Sequence, residues 1–220
     1  MMSRWFFILS LLFLAGCLVG RRSEEAVLWP NGVEICRQRS EIRIPATVMI
    51  RSGWLEQAVC TPQTRVHESV FAIQADPHQL HAALLLLGSF PGKPGLPPHL
   101  DHPAVAPDGP IVQIFMEHSQ AVIRLQDLIL DDRTGEGLQG DFVFAGSKWV
   151  QWQGVQRYLA DDEGSVVGLV TFGDELLAYS EPMSGSVSLD RPTFRPNADV
   201  LPPPGTEVTL RFTVSPEPEA

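Results

Sequence analysis

Four residues carry the side chains best suited to chemistry: Cys60, His67, Glu68 and His81. A thiolate and two imidazoles are good ligands for zinc or copper. Glu68 would add an oxygen ligand or an acceptor that orients an imidazole. Cys60 and His67 are alternatively a nucleophile and its general base, which requires a free thiol of lowered pKa within about 3 Å of the ring. Neither arrangement has a signature spacing, for the chain contains no His-Glu-x-x-His and no Cys-x-x-Cys. A plainer reading makes His81 a packed histidine beside Leu80, Leu84 and Leu85, held by one hydrogen bond. A disulfide between Cys36 and Cys60 would remove both the thiolate ligand and the nucleophile.

Further groups compete with these. Ser147, in Phe-Ala-Gly-Ser-Lys, resembles a nucleophile only superficially: the Gly-x-Ser-x-Gly elbow is missing, and a turn at Gly146 explains it better. Trp149 and Trp152, with Tyr158 nearby, would form an aromatic platform for glycan or peptide unless they are packed inward. His99, Asp101 and His102 would chelate a divalent ion only if their loop folds back on itself. Asp161, Asp162 and Glu163 lack the twelve-residue ligand pattern of a calcium loop.

Patterned segments must position these residues. Asp76-Pro77-His78-Gln79 is a helix start, with a capping residue, a proline in the first turn and Gln three positions after the cap. The helix is expected over about 77–87, with Leu80, Ala83, Leu84 and Leu87 as its apolar stripe and Gly88 as its stop. Val33 to Arg39, Glu41 to Ile44, Ala46 to Ile50, Trp54 to Cys60 and Glu68 to Ile73 read as strands, and Ser52-Gly53 reads as a hairpin turn. The Pro- and Gly-rich stretch 88–110 suits no regular element, and we expect an extended loop pinned by Phe90 and Leu96. Beyond it, Ile111 to Glu117 and Ala121 to Leu125 form a hairpin. Leu128 to Leu130, Phe142 to Ala145, Arg157 to Ala160, Val166 to Thr171 and Glu207 to Val214 are further short strands. This order argues for an α+β fold, a mainly antiparallel β domain with one helix, over a Rossmann-like one.

The N-terminus supplies an address. Met-Met-Ser-Arg, an apolar run from Trp5 to Leu14, and Leu14-Ala15-Gly16-Cys17 look like a lipoprotein signal peptide ending in a lipobox. Cleavage after residue 16 would leave Cys17 as a lipidated N-terminus, residues 17–30 as a tether, 31–215 as one globular domain and 216–220 as a frayed tail. Leu18, rather than Asp, favours the outer membrane, facing the periplasm of a bacterial envelope. Removing the signal takes only Arg4 from the charges, leaving 15 Lys and Arg against 26 Asp and Glu, about −11. Such a surface argues against nucleic acid and against electrostatic attraction to anionic lipid. The expectation is a membrane-anchored, non-enzymatic binding or structural module with a protein or glycan partner. The alternatives are a zinc or copper protein built on His67, His81, Glu68 and Cys60, and a Cys60/His67 enzyme.

Several spaced pieces carry a resemblance. Cys60 with Val66-His67-Glu68-Ser69, His81 to Gly88, Pro91-Gly92-Lys93-Pro94-Gly95, Asp141 to Ser147, Tyr158-Leu159-Ala160-Asp161 and Pro204 to Leu210 are similar to the YdjY-like family of bacterial envelope proteins, over roughly Ala46 to Phe212. The chain departs from the usual pattern near Gln63 and Thr64, where members carry a lysine or similar residue and a glycine. It departs again at Thr171-Phe172, where they carry Asn-Phe. Some members are described as ferredoxin-like or iron–sulfur related. With Cys17 spent on lipid, only Cys36 and Cys60 remain, 24 positions apart, too few for a cluster that needs four thiolates in tight spacing.

Overall fold

The computed structural model describes residues 26–97, 99, 103–183 and 193–214. The signal segment, Cys17 and the residues after Val214 lie outside them. In chain order the elements are β1 (Val27–Leu28), β2 (Glu34–Cys36), β3 (Glu41–Val48), β4 (Gln57–Cys60), β5 (Ser69–Ile73), α1 (Pro77–Leu86), β6 (Val112–His118), β7 (Ala121–Arg124) and β8 (Ile129–Asp131). There follow β9 (Glu136–Gly137), β10 (Phe142–Phe144), β11 (Trp149–Trp152), β12 (Val155–Tyr158), α2 (Leu159–Glu163), β13 (Ser165–Gly168), β14 (Leu177–Tyr179), β15 (Phe194–Pro196) and β16 (Glu207–Val214). The fold is α+β and dominated by antiparallel sheet, with one long helix.

Eleven strands form the main sheet, in the order β10-β14-β13-β4-β5-β3-β16-β6-β7, with β1 and β2 continuing from β3. Alternation decides the faces of the long strands. Ile42, Ile44, Ala46 and Val48 of β3, and Val208, Leu210, Phe212 and Val214 of β16, enter the core while their neighbours face outward. Strands β4, β5 and β13 are buried at every position. They supply the two parallel pairings, β4 with β5 and β13 with β14, as expected where both faces of a sheet are covered. Three-stranded β15-β8-β9 and the hairpin β11–β12 stand apart from the main sheet.

Pro45 explains how one strand serves two partners. The expected break between Glu41–Ile44 and Ala46–Ile50 is absent, and β3 runs straight through the proline. Val48 donates its N–H to Thr206 O on the β16 side and Met49 donates to Val70 O on the other, so odd-numbered residues point away from β16. On that side β2 pairs with positions 41–43 and β5 with 46–48. The missing Pro45 donor therefore faces the gap between the two, where it costs no ladder bond.

Several local readings need correction. Ser52-Gly53 does not close a hairpin: β5 lies between β3 and β4, which never pair. Val33 to Arg39 is a three-residue strand followed by a tight helical turn at Arg37–Arg39. Arg157 to Ala160 and the acidic turn after it become the end of β12 and helix α2, closed by Gly164 at φ 65°. The loop 88–110 is pinned by backbone bonds between Lys93 and Asp108 and between Leu96 and Val105, whereas Phe90 and Leu96 are exposed. A side chain on Gly92 would lie 2.2 Å from Asp108 O, so this close approach needs glycine.

Helix α1 starts and stops close to expectation. Gln79 Oε1 accepts the Asp76 N–H at 2.9 Å, and Gly88, at φ 82°, lets Ser89 donate back to Leu84 O. Ten residues are marginal alone, and Leu80, Ala83 and Leu84 bury fully against the sheet.

A Cys36–Cys60 disulfide, which the sequence leaves open, is not formed, and both cysteines are free and buried. Alternation of Cys36 with Val33, Ile35 and Arg37 would put it on the polar side of its strand, yet it is buried. Register gives the reason for the missing bond. Cys36 pairs with Glu41 at one end of β3, whereas Cys60 pairs with Ala72, which pairs with Thr47. Six residues of strand at about 3.3 Å each separate them by roughly 20 Å, against about 7 Å at most between bridged Cα atoms.

Candidate functional site

Cys60 ends β4 without solvent exposure. Burial pushes its thiol pKa up, against hydrogen bonds from Ser69 and Thr64 that pull it down. His67 sits on the helical turn Val66–Glu68, its side chain 78 % exposed and its Nε2 3.7 Å from Glu68 Oε2. Glu68 in turn lies 4.0 Å from Arg65 Nε. His81 is on α1, edge-on to Phe144, with Nδ1 2.8 Å from Tyr158 Oη. Since Tyr158 donates its own proton to Gly146 O at 2.9 Å, Nδ1 of His81 is the donor in that pair. Burial holds the imidazole pKa down, so the ring is neutral.

The structure does not bring these four residues together into one site. One imidazole is in solvent, the other donates to a tyrosine, and the thiol is sealed between strands. Among the described residues no three His, Cys, Asp or Glu side chains converge as a metal would require. Cys60 is free, but its burial and raised pKa are the opposite of the activated thiol that the nucleophile and base reading requires. Asp101 and His102 of the loop triad lie outside the described residues.

Instead, the structure concentrates charge around Arg65. Its Nη2 lies 3.3 Å from Asp174 Oδ2 and 3.6 Å from Glu163 Oε2, and the guanidinium sits 4.4 Å over the Phe172 ring. Gln57, fully buried on β4, turns its amide oxygen to Arg65 Nη1 (3.1 Å) and its nitrogen to Val167 O (3.1 Å) in the orientation that satisfies both ends. Behind them Glu175 is fully buried, its carboxylate accepting the N–H groups of Phe172 and Gly173. Burial, with help from the neighbouring Asp174 charge, pushes its pKa up to about 7. Asp174 is also raised by burial, against the pull of Arg65, and its Oδ1 has no partner among the described residues. Ser147 is the staple of this region and not a nucleophile. Its hydroxyl donates to Asp174 O at 2.6 Å and accepts the Ala160 N–H at 3.0 Å.

Sequence reading missed this cluster, although one signal was available. Arg65 is the only Lys or Arg between Arg51 and Lys93. The adjacent acids Asp174-Glu175 stand between apolar runs, which predicts burial with a partner.

The aromatic group divides in two. Hairpin β11–β12 turns at Gln153-Gly154, with φ of 49° and 81°, and pairs Trp149 with Tyr158 and Trp152 with Val155. Positions 149 and 152 differ by three, so period-two alternation puts the tryptophans on opposite faces. Trp149 packs on Tyr158 with ring centres 4.9 Å apart. Trp149, Trp152 and Val155 remain 60, 61 and 62 % exposed. The tryptophans are therefore neither packed inward nor gathered on a single platform: the hairpin is a two-faced arm. Asp161 accepts from His78 N–H and lies 2.8 Å from its Nδ1, and Asp162 pairs with Arg157, so the acids at α2 serve helix contacts.

No helix among the described residues is long and apolar enough to cross a membrane. No curated protein and no solved structure matches the chain. The model of the YdjY domain matches residues 33–213, reaching further toward the N-terminus than the resemblance did and taking in β2 and all of β3. The arrangement just described, from Val33 of the core to Thr213 of β16, is thus the domain itself, and the chain belongs to the YdjY domain family.

Proposed function

We propose that this chain is a non-enzymatic binding module, held by a lipidated Cys17 on the periplasmic face of a bacterial outer membrane, and that hairpin β11–β12 meets a glycan partner there. One observation carries the reading: among the described residues the hairpin joins no other strand, and it holds two indoles and a valine in water. An isolated two-stranded hairpin is marginal, so retaining this one favours a surface role over a packing one. Trp149 is backed on one side by Tyr158 and offers its other face, the arrangement in which an aromatic ring receives a sugar ring. The lipobox supports the anchor, since two or three acyl chains hold a protein where one binds only reversibly. Cys60, Ser147 and His81 are all engaged internally, which fits binding better than catalysis.

Co-sedimentation of the full-length, detergent-solubilised protein with purified peptidoglycan sacculi tests the partner. The wild type should pellet, and Trp149→Ala with Trp152→Ala should abolish pelleting without lowering thermal stability by more than a few degrees. Equal pelleting by the double variant would remove the hairpin from the reading, and no pelleting by wild type would remove the glycan. Metabolic labelling with palmitate tests the anchor, because label that persists in Cys17→Ala refutes it.

A further inference from the structure

A second surface feature points to a small ligand. Between the main sheet and β15, a pocket of about 260 Å³ is lined by Arg51, Trp54, Arg195, Pro196 and Ala198 among others. Its walls are fixed. Leu55 donates its N–H to Phe194 O at 2.9 Å, Arg51 Nη2 donates to Ala198 O, and Arg195 Nε is held by Asp132 Oδ1 at 2.8 Å. Leu55 and Phe194 are buried where the two sides meet.

The electrostatics are unusual for this chain. Acids outnumber bases 26 to 16, yet Arg51 forms no ion pair among the described residues, and its Nε is buried without a hydrogen-bond partner there. A guanidinium without a carboxylate partner leaves its positive charge uncompensated, which an anion in the pocket would balance. A second guanidinium, that of Arg195, lines the same pocket, and its ion pair with Asp132 runs through Nε, which leaves its other N–H groups for an oxyanion. The indole of Trp54 and the ring of Pro196 provide an apolar wall for whatever the anion is attached to. Arginine forks match carboxylate and phosphate oxygens in shape as well as charge.

We propose that this pocket binds a small organic oxyanion, a carboxylate or phosphate carried on a planar or apolar body, with Arg51 and Arg195 receiving the anion and Trp54 the body. The volume is at the lower edge for small-molecule sites, so the ligand is small or is one end of something larger. The site is separate from the hairpin and stands without the glycan reading.

Calorimetric titration of the full-length protein with benzoate, phenyl phosphate and the neutral benzamide tests the assignment. At least one anion should bind saturably and benzamide should not. The better anion tells carboxylate from phosphate. Arg51→Gln and Arg195→Gln should each weaken that binding about tenfold or more, and Trp54→Ala several-fold. Arg51→Lys retains the charge but not the fork, and should recover only part of the loss. If Arg51→Gln fails to fold, Arg195→Gln and Trp54→Ala decide the question. Binding of benzamide equal to benzoate, no binding of either anion, or arginine variants that bind like wild type would overturn the proposal.

Discussion

Glu175 should make the stability of this protein fall with rising pH. The carboxyl is fully buried and its pKa is pushed from 4.5 up to about 7, first by burial and then by Asp174. Between those values the folded state holds a proton that the unfolded state has released. A state that binds more protons loses stability as pH rises, so the penalty begins near pH 4.5 and is complete above pH 7. At about 1.4 kcal/mol for each pH unit, the gap amounts to about 3 kcal/mol. Glu175→Gln keeps an oxygen to accept the Phe172 and Gly173 N–H groups but cannot ionise. Its added NH₂ lacks an evident acceptor and costs roughly 1–3 kcal/mol at every pH. The diagnostic quantity is therefore the difference between wild type and variant across pH, in which all other titrating groups cancel. Urea unfolding at intervals from pH 4.5 to 8.5 should show the variant gaining about 3 kcal/mol relative to wild type over that range. Parallel curves would refute the reasoning, since they would mean that Glu175 titrates alike in both states.

Two further outcomes test the same region. Arg65→Met removes a cation that faces Asp174, Glu163 and Glu68 and should cost about 3 kcal/mol in urea unfolding. Adding Asp174→Asn should restore part of that loss, and strict additivity of the two changes would argue against a shared network. Thiol titration should find no rapidly reacting cysteine in the native protein, and both Cys36 and Cys60 after denaturation without reductant. Fast native labelling would contradict the buried Cys60, and absence of thiols on denaturation would mean a disulfide after all.

Elements with local causes were legible in the sequence. Helix α1 needed only Asp76, Pro77, Gln79 and Gly88, and hairpin β6–β7 needed only two alternating runs and a tight turn. Strand β16 announced itself by unbroken alternation. Elements with distant causes were not legible. Nothing near Gln57 says that β4 will lie parallel to β5, because the sign of a both-face-buried strand is the loss of alternation, which is also the sign of weak strand character. Pro45 looked like a break because the sequence does not show which way its absent donor points. The free cysteines follow from a register that places them at opposite ends of β3.

Site chemistry failed for a related reason. Trp149 and Trp152 are close in sequence, yet alternation sends them to opposite faces of the hairpin, and His67, although 3.7 Å from Glu68, stands in solvent while Cys60 is buried. Arg65 and Asp174, 109 positions apart, meet because β13 pairs with β4, with Ser165 opposite Cys60 and Gly168 opposite Gln57. The same pairing accounts for the anion pocket. A true hairpin at Ser52-Gly53 would have laid Trp54 to Cys60 back along β3 and tied Arg51 and Trp54 into a ladder. Because β4 pairs instead with β5 and β13, the segment from Arg51 to Trp54 is left as a loop, fastened to β15 through Leu55 and Phe194. The reversal that the turn residues encode is made, because β3 and β4 run antiparallel in one sheet with β5 between them, and the guanidinium and indole that the loop carries line a pocket beside β15.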